Sequence, residues 1–436
     1  MDTLDALGFD RLSKTDIFTP VKITQDMVNL LPEEVFHPDF KFLDIACKSG
    51  RFLVTLKDRL MESPTMIEIF PDKKDRLNHI LNNQLFGLAT SEMCLMISTR
   101  NLYGSISEFR NIRYIANYTD KVKKHKINIE YLEKEFNRDM KIDVVIGNPP
   151  YNKGMDLDFV NLGYNLSTQY CCMITPAKWQ TAEAEQRTAS SMSYGEFRKK
   201  IVPHMSYVCF YPNCSDLFLI SQDDGISWYF ISKTDSKDAC IVENKCKNQS
   251  YLNNKTERSL INGITLNNHG AEIIGFLSRQ GIKLGFTHSY INGNKKYSVV
   301  SNNKYNIERG VEGQYQAYGM VSYKTGEMSV VCRPRVIESK NKTKELTTAD
   351  SIVYESNDIL ECESFMSWVN TKFVRFMVSL NISRISPVFC DYAWRFVPAP
   401  PSGKFDHIYT DQELYEAFNL PQKYIDVIEA VIKKRK

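Results

Sequence analysis

An alternation of short apolar runs with helix-like patterns fills the first half of the 436-residue chain, and it constrains the fold more than any other feature. Short apolar runs bounded by turn residues predict buried strands, and apolar residues at helical spacing predict amphipathic helices. The apolar runs lie at 41–46, 84–89, 112–117, 142–147 and 170–175. The helical patterns lie at 50–61, 91–102, 127–136 and 157–166. Strands that alternate with helices predict an α/β fold, with a parallel sheet covered on both faces.

Two further apolar runs follow at 205–211 and 225–232, and a polar turn region containing Asp223 and Asp224 separates them. This pattern predicts an antiparallel hairpin that closes the edge of the sheet. With the five earlier runs, the hairpin gives a sheet of seven strands.

The composition of the sequence changes near Asp235, where a polar segment rich in Asn and Lys begins. Short strand-like segments separated by turn residues follow, and helical patterns return at 363–380 and 422–436. Because a chain of this length exceeds one ordinary hydrophobic core, we expect two domains. We place the boundary near 235–255, with a first domain at 1–240 and a second, mixed α+β domain at 241–436.

The composition is that of a soluble globular protein, with 43% hydrophobic residues, 25% charged residues and a net charge of +3. The amino terminus is acidic, unlike a signal peptide, and no apolar run approaches the ~20 residues that span a membrane. The eleven cysteines are scattered and form no C-x-x-C pair. We therefore expect a cytoplasmic protein with no membrane contact and no zinc site.

The segment at 42–56 has the pattern of a ligand-binding turn. An apolar strand ends in Asp44, a turn of small residues follows, and a helix starts near Gly50. Small residues let the backbone approach a nucleotide-like ligand, and the amino end of the helix offers N–H donors. The alternative interpretation is a tight strand-to-helix turn with a capping aspartate.

The tetrapeptide Asn148-Pro149-Pro150-Tyr151 directly follows the apolar run at 142–147. Proline has no N–H, so the two prolines end the strand and fix a rigid turn at the carboxyl edge of the sheet. The Asn148 side-chain oxygen and the Pro149 carbonyl are both acceptors that could hold an –NH2 group. Tyr151 beside them could stack on a flat ring.

These two motifs in this order resemble the S-adenosylmethionine-dependent amino-methyltransferases, and more narrowly the DNA adenine-N6 methyltransferases of the gamma motif order found in restriction–modification systems. In that order the cofactor motifs precede the catalytic motif, and a target-recognition region comes last. The resemblance covers residues 15–235 motif by motif. It implies a Rossmann-like seven-stranded methyltransferase sheet, followed by a C-terminal mixed α+β target-recognition domain.

The resemblance also implies a set of residues that bind S-adenosylmethionine. They are Phe18, Thr19, Pro20, Asp44, Ala46, Cys47, Gly50, Ala89, Asn117 and Asn148. Two positions depart from the family pattern. Ala89 stands where an acidic residue usually binds the ribose, which leaves Glu92 or a backbone contact as substitutes. Lys48 replaces a glycine, and we expect its side chain to point outward or toward the cofactor carboxylate.

The catalytic residues implied by the resemblance are Asn148, Pro149, Pro150, Tyr151 and Phe218. The amino nitrogen of adenine is a poor nucleophile, so it needs alignment and acceptors for its protons rather than a metal. It is also unreachable inside a duplex, so the base must be flipped out. Tyr151 and Phe218 would then sandwich the ring, although Phe218 is equally well interpreted as a core aromatic. Trp228 and Tyr229 are expected in the hairpin core.

Double-stranded DNA is the implied partner, with a cognate restriction endonuclease as a further one, and we expect a monomer or weak dimer. Candidate DNA contacts lie at 289–306, 332–344 and 381–387, each of which is also compatible with a solvated loop. The basic run at 121–126 has the same two interpretations.

Two other functions remain open from the sequence. The protein-glutamine methyltransferases share the Asn-Pro-Pro-Tyr motif and act on an amide –NH2, but they lack a large domain after the catalytic core. A catalytically impaired methylase fold that serves as a DNA-binding or specificity subunit is the second alternative. The departures at Lys48 and Ala89 favour it, and the complete tetrapeptide at 148–151 disfavours it.

Overall fold

A central sheet with helices on both faces organises the first 260 residues. The structure is a computed structural model. It describes residues 17–105, 110–151, 154–180, 189–211, 215–218, 225–234, 239–245, 253–260, 268–286, 294–302, 320–321, 328–329, 335–341, 346, 350–380 and 394–432. Within this part of the chain, no helix combines the length and the hydropathy needed to cross a membrane.

The first seven strands of the central sheet correspond to the seven predicted apolar runs, and two further strands follow them. Their bounds are β1 (Phe42–Cys47), β2 (Leu85–Ala89), β3 (Ile112–Tyr114), β4 (Ile142–Gly147), β5 (Ser167–Pro176), β6 (Met205–Tyr211), β7 (Ile226–Ser232), β8 (Cys240–Asn244) and β9 (Asn254–Arg258). Their order across the sheet is β3-β2-β1-β4-β5-β7-β6-β8-β9. Strands β1 to β5 are mutually parallel, and β7 is antiparallel to both β5 and β6. The predicted α/β fold class with a Rossmann-like sheet is confirmed.

The predicted hairpin of β6 and β7 is present, but the expectation that it closes the sheet is wrong. Strand β7 lies between β5 and β6, and β8 pairs with the outer side of β6. Strand β9 then forms the edge, so the described sheet has nine strands rather than seven. The sheet therefore continues past the predicted domain limit at residue 240, as far as Arg258.

Helices cover the two faces of the sheet and form the second half of the chain. Their bounds are α1 (Val21–Val28), α2 (Arg51–Met61), α3 (Pro64–Ile69), α4 (Lys73–His79), α5 (Glu92–Tyr103), α6 (Tyr118–Lys123), α7 (Ile129–Phe136), α8 (Asp156–Leu166), α9 (Tyr194–Ile201), α10 (Ser215–Phe218), α11 (Asn268–Arg279), α12 (Ile359–Asn370), α13 (Lys372–Ser379), α14 (Asp411–Ala417) and α15 (Gln422–Val431). The helical patterns predicted at 50–61, 91–102, 127–136 and 157–166 correspond to α2, α5, α7 and α8.

Successive side chains along a strand point to opposite faces of the sheet and pack into two separate hydrophobic cores. In β5, Cys171 and Met173 join the core under α6 to α9, whereas Tyr170, Cys172 and Ile174 join the core under α1, α2 and α5. This is the period of two that a strand buried on both faces requires. Both cores end by Leu260, and a third core begins at Ile273.

The third core belongs to a mixed α+β region. Its strands are β10 (Tyr297–Asn302), β11 (Met320–Val321), β12 (Met328–Ser329), β13 (Arg335–Glu338) and β14 (Asp350–Ser356). Strands β13, β10 and β14 form an antiparallel sheet, on which α12 packs. At the centre of this core the rings of Trp368 and Trp394 stack, with 5.7 Å between their centroids.

Candidate active site

The carboxyl ends of β1 to β4 meet at one edge of the sheet because these strands are parallel. Open parallel sheets bind ligands at this edge. The segments that follow the strand ends here contain most of the residues that the sequence predicted to be functional. One further segment, at 17–20, comes from the amino-terminal side of the chain and lies against them.

Asn148 is the first residue after β4, as predicted, and it is buried, with 3% of its surface exposed. Its Nδ2 donates a hydrogen bond to the Thr19 Oγ1 at 3.0 Å, across 129 positions of sequence. Its Oδ1 has no hydrogen-bond partner among the described residues. A buried acceptor without a partner costs about 1–3 kcal/mol, so this oxygen is suited to a donor supplied by a ligand.

The residues after Asn148 form a stiff platform. Pro149 and Pro150 are buried and lie outside any strand. Tyr151 is half-buried, and its hydroxyl donates to the Ile174 carbonyl of β5 at 3.3 Å. The tetrapeptide is therefore tied at one end to the Thr19 hydroxyl and at the other to the neighbouring strand.

The segment at 17–20 is held by two cations, one in the turn after β1 and one at the start of α2. The Arg51 Nη1 donates to the Thr19 carbonyl at 3.1 Å, and its guanidinium lies 5.9 Å from the centre of the Phe18 ring. The Lys48 Nζ donates to the Ile17 carbonyl at 3.4 Å. Lys48 is buried, so the first alternative, that it points outward, is wrong, and the second, that it points toward the cofactor carboxylate, stays a prediction. Its attraction to a buried carboxylate and a backbone carbonyl explains the difference.

Asp44 lies inside β1 rather than at its end, which corrects the predicted strand limit. The strand continues to Cys47 because its pairing with β2 resumes there after an irregularity. The Asp44 carboxylate is 2% exposed and accepts a hydrogen bond from the Ala46 N–H at 3.0 Å. Burial raises the pKa of Asp44 to about 7, against the opposing effects of the Ala46 N–H and the Lys48 charge.

Two glycines keep the backbone close at this edge. Gly50 ends the turn with a φ of +78° and begins α2. A β-carbon on Gly147 would lie 3.3 Å from the Asp44 Oδ1, which would crowd the space between β1 and β4. The ligand-binding role of the turn at 42–56 stays a prediction, whereas the alternative capping role of Asp44 does not fit its place inside the strand.

Replacement of Asp44 by asparagine is expected to make folding stability less dependent on pH. In the folded protein the pKa of Asp44 lies above its usual value of 3.8. Between about pH 4 and 7 the folded protein therefore binds more protons than the unfolded chain. Because of this difference, the free energy of unfolding of the wild type falls as pH rises from about 4 to 7. Over the whole pH range, the shift in the pKa of Asp44 lowers the free energy of unfolding by about 4 kcal/mol. Urea titrations should show Asp44→Asn gaining stability relative to the wild type up to about pH 7, with no further gain above it.

The control for this experiment is Asp120→Asn, which changes an exposed carboxylate on α6. This variant is expected to follow the wild-type pH profile. If Asp44→Asn also follows that profile, the Asp44 carboxylate is not held in its neutral form.

The other predicted cofactor residues lie at the ends of β1, β2 and β3. Ala46 and Cys47 are buried in the last two positions of β1, and Ala89 is the buried last residue of β2. Glu92 is exposed in the first turn of α5. Asn117 is exposed and begins α6, with a left-handed φ of +54°.

Phe218 lies apart from this group, at the end of the short helix α10. It is buried in the same core as Trp228 of β7, and Tyr229 of β7 is buried in the core on the opposite face. The expected core positions of Trp228 and Tyr229 are confirmed. The stacking role of Phe218 stays a prediction beside its core interpretation.

Sequence reasoning missed two side chains that shape the edge. Arg51 appeared to be an ordinary first residue of a helix, yet it binds the segment at 17–20. Tyr118 donates its hydroxyl to the Ile45 carbonyl of β1 at 2.7 Å and is fully buried. An aromatic residue at the start of a helix gave no sequence signal for this contact.

The basic run at 121–126 forms the end of α6 and the exposed turn after it. Lys121 donates to the Tyr131 hydroxyl at 3.1 Å, and Lys124 lies 3.7 Å from Asp120. Among the segments predicted to contact DNA, 381–387 lies outside the described residues, as do parts of 289–306 and 332–344.

Residues 10–167 match the family model described as N-6 DNA Methylase. The chain is also 28% identical to a protein of Mycoplasma pneumoniae (strain ATCC 29342 / M129 / Subtype 1) described as an uncharacterized adenine-specific methylase. The match covers 39% of this chain and 57% of that relative. These findings confirm the predicted resemblance to the adenine-N6 DNA methyltransferases.

Solved structures with partial similarity include the methyltransferase subunit of a type I restriction-modification system from Streptococcus thermophilus. It is 17% identical, with a TM-score of 0.36, and the match covers 53% of this chain and 47% of that one. The type IIG restriction endonuclease BpuSI is 12% identical, with a TM-score of 0.39, and the match covers 71% of this chain and 39% of that one. Because these scores are low, the fold class depends on the strand order of this chain itself.

Proposed function

We propose that this protein is a site-specific DNA methyltransferase that transfers a methyl group from S-adenosylmethionine to N6 of an adenine flipped out of the duplex. The observation that carries the proposal is the buried, unpartnered Oδ1 of Asn148 at the ligand-binding edge of the sheet. An amino group that enters this edge would supply the missing donor. The N-6 DNA Methylase match over residues 10–167 supports adenine as the bearer of that group.

The residues at the strand ends fit S-adenosylmethionine. When bound, this cofactor supplies a methyl group on a positively charged sulfur. The buried Asp44 carboxylate and the N–H groups at the start of α2 offer acceptors and donors for its polar groups. Gly50 and Gly147 leave the backbone accessible. The residues proposed to hold it are Phe18, Thr19, Pro20, Asp44, Ala46, Cys47, Gly50, Ala89, Asn117 and Asn148.

Asn148 and the carbonyl of Pro149 act as acceptors for the two amino protons of adenine. The nitrogen gains positive charge as it attacks, and both acceptors then bind its protons more strongly than before. Neither group needs to take a proton permanently, because the product nitrogen loses one to water after the transfer. Tyr151 would stack on the base, with its hydroxyl fixed on Ile174, and Phe218 is proposed for the opposite face.

Thr19 positions the Asn148 amide, because its hydroxyl accepts from Nδ2 and so directs Oδ1 toward the base. Thr19→Val removes this acceptor without changing the shape of the side chain. It is expected to lower kcat by roughly two- to tenfold, the value of one net hydrogen bond. Thr19→Ser keeps the hydroxyl and should retain most of the rate.

Steady-state kinetics at saturating S-adenosylmethionine, with the cofactor Kd measured separately by calorimetry, separates positioning from binding. Because Thr19 is also proposed to contact the cofactor, positioning predicts that kcat falls by a larger factor than the cofactor Kd rises. A weaker Kd with unchanged kcat would instead assign Thr19 to cofactor binding alone.

The C-terminal half is proposed to bind the DNA duplex and to recognise the target sequence. Contacts with phosphates would position the protein, and polar side chains would recognise the bases. We further propose that the protein is cytoplasmic, acts as a monomer or weak dimer, and is the modification enzyme of a restriction–modification system, with a cognate endonuclease as partner, or a solitary methylase.

Incubation of the protein with tritiated S-adenosylmethionine and duplex DNA, RNA or total protein tests the substrate class. Label in DNA alone supports the proposal. Label in protein alone would favour glutamine methylation. DNA binding without any label would favour a specificity subunit with an impaired site.

A further inference from the structure

A cleft separate from the candidate active site lies where the first region of the chain meets the second. It has a volume of about 250 Å³. In the first region, it is lined by the turn after β5, the end of α9, the two residues after α9, and Leu260. The second region contributes Arg395. The lining residues are Gln180, Arg198, Lys199, Val202, Pro203, Leu260 and Arg395.

The described residues that line this cleft carry positive charge only. Arg198, Lys199 and Arg395 are cations, and none of the described lining residues is acidic. Glu196, on the same helix as Arg198, is engaged in capping the amino end of that helix through the Ser193 N–H. Three positive side chains without a carboxylate attract anions.

Gln180 adds a buried donor to these charges. It is 3% exposed, and its Nε2 has no hydrogen-bond partner among the described residues. The turn that presents it is rigid, because the Arg198 Nη1 donates to the Trp179 carbonyl at 2.8 Å and the Trp179 indole donates to Ser227 at 3.3 Å. A fixed, unsatisfied amide donor beside cations suits an anionic oxygen.

The side contributed by the second region is also anchored. The Arg395 guanidinium lies 5.2 Å from the centre of the Phe396 ring, which is buried in the third core. The Phe286 N–H donates to the Val397 carbonyl at 2.8 Å and holds this segment in place. Arg395 and Lys199 are exposed, so their charges reach solvent.

From this arrangement we infer that the cleft binds a phosphate group of the DNA backbone, with the Gln180 Nε2 as the buried donor and Arg198, Lys199 and Arg395 as the neutralising charges. The inference rests on the proposed function, since it assumes that duplex DNA is the substrate. A phosphate bound here touches both regions of the chain at once. Backbone binding would thereby fix the second region relative to the catalytic sheet.

Fluorescence anisotropy with a labelled duplex of mixed sequence, measured over a series of salt concentrations, tests this site. Arg395→Gln and Lys199→Gln each remove one charge, and each should flatten the slope of log affinity against log salt by about one. Gln180→Leu should weaken binding without changing the slope, because the amide is neutral. The matched control is Lys134→Gln, an exposed lysine on α7 outside the cleft, which should retain the wild-type slope.

Wild-type slopes in both Arg395→Gln and Lys199→Gln would overturn the inference and leave the proposed function intact. A wild-type protein that binds no duplex would contradict both. Inorganic phosphate is the second arm, because the same donors could hold a free anion. The unfolding temperatures of the wild type and of Arg395→Gln are measured with and without phosphate. Stabilisation of the wild type alone, with the salt dependence of DNA binding the same in the wild type and the variants, would show that the ligand is free phosphate and not DNA.

Discussion

Replacement of Asn148 by alanine is expected to lower the rate of methyl transfer by at least about 100-fold, as loss of an acceptor that acts in the transition state does in other enzymes. The side chain supplies the Oδ1 that would hold the amino group directly after β4, and its loss would leave the Pro149 carbonyl as the one acceptor proposed here. The protein should remain folded, because the substitution removes an oxygen without a partner and a single hydrogen bond, from Nδ2 to Thr19, worth about 0.5–1.5 kcal/mol net. Single-turnover kinetics and urea titration measure the two effects.

Asn148→Asp and Asn83→Ala are the matched variants for this prediction. The aspartate keeps an acceptor oxygen but loses the Nδ2 donor to Thr19, so its rate should fall between those of the wild type and Asn148→Ala. Asn83 is exposed, and its replacement should leave the rate unchanged. A rate for Asn148→Ala within about twofold of the wild type would mean that this amide is not a catalytic group.

Replacement of Gly50 by alanine is expected to cost both stability and cofactor affinity. At φ +78° a β-carbon is strained by about 1–3 kcal/mol. It would also lie 3.0 Å from the Ser98 Cα and Cβ on α5, and such overpacking adds about 1–3 kcal/mol. The turn must shift to relieve this contact, which moves the start of α2 away from the ligand-binding edge.

Gly104 provides the control because it shares the backbone conformation without the contact. Its φ is +77°, and a β-carbon there would meet nothing within 4 Å. Gly104→Ala should therefore show only the loss that comes from backbone strain, with normal S-adenosylmethionine binding by calorimetry. Equal losses of stability and equal cofactor affinities in the two variants would show that close approach at Gly50 is unimportant.

Strand β4, which precedes the Asn-Pro-Pro-Tyr motif, could be predicted from sequence because its signals are local. The apolar run at 142–147 ends at two prolines, and β4 has those limits in the structure. Strands β8 and β9 could not be predicted in the same way. In β8 the apolar Ile241 is exposed and the polar Asn244 is buried, so its sequence does not alternate as its burial does. Strand β9 is a polar edge strand held by backbone pairing, and it has no hydrophobic period to reveal it.

The position of most candidate residues at one edge of the sheet was predictable, but the contacts among them were not. Asn148 and Thr19 were identified by motif, whereas their hydrogen bond joins residues that lie 129 positions apart. For Lys48 the sequence left two directions open, outward or toward the cofactor carboxylate, and it did not indicate the neighbours found, the buried Asp44 and the Ile17 carbonyl. These contacts depend on how the segment at 17–20 folds over the sheet edge, which no local pattern encodes.

The central claim is that Asn148 directs a methyl group to the amino nitrogen of adenine in DNA. Mass spectrometry of the nucleosides released from duplex DNA, after incubation with S-adenosylmethionine and either the wild type or Asn148→Ala, tests it most directly. We predict N6-methyldeoxyadenosine with the wild type and a yield lower by at least about 100-fold with the variant. Methylation of cytosine in place of adenine, or equal N6-methyldeoxyadenosine from both proteins, would contradict the claim.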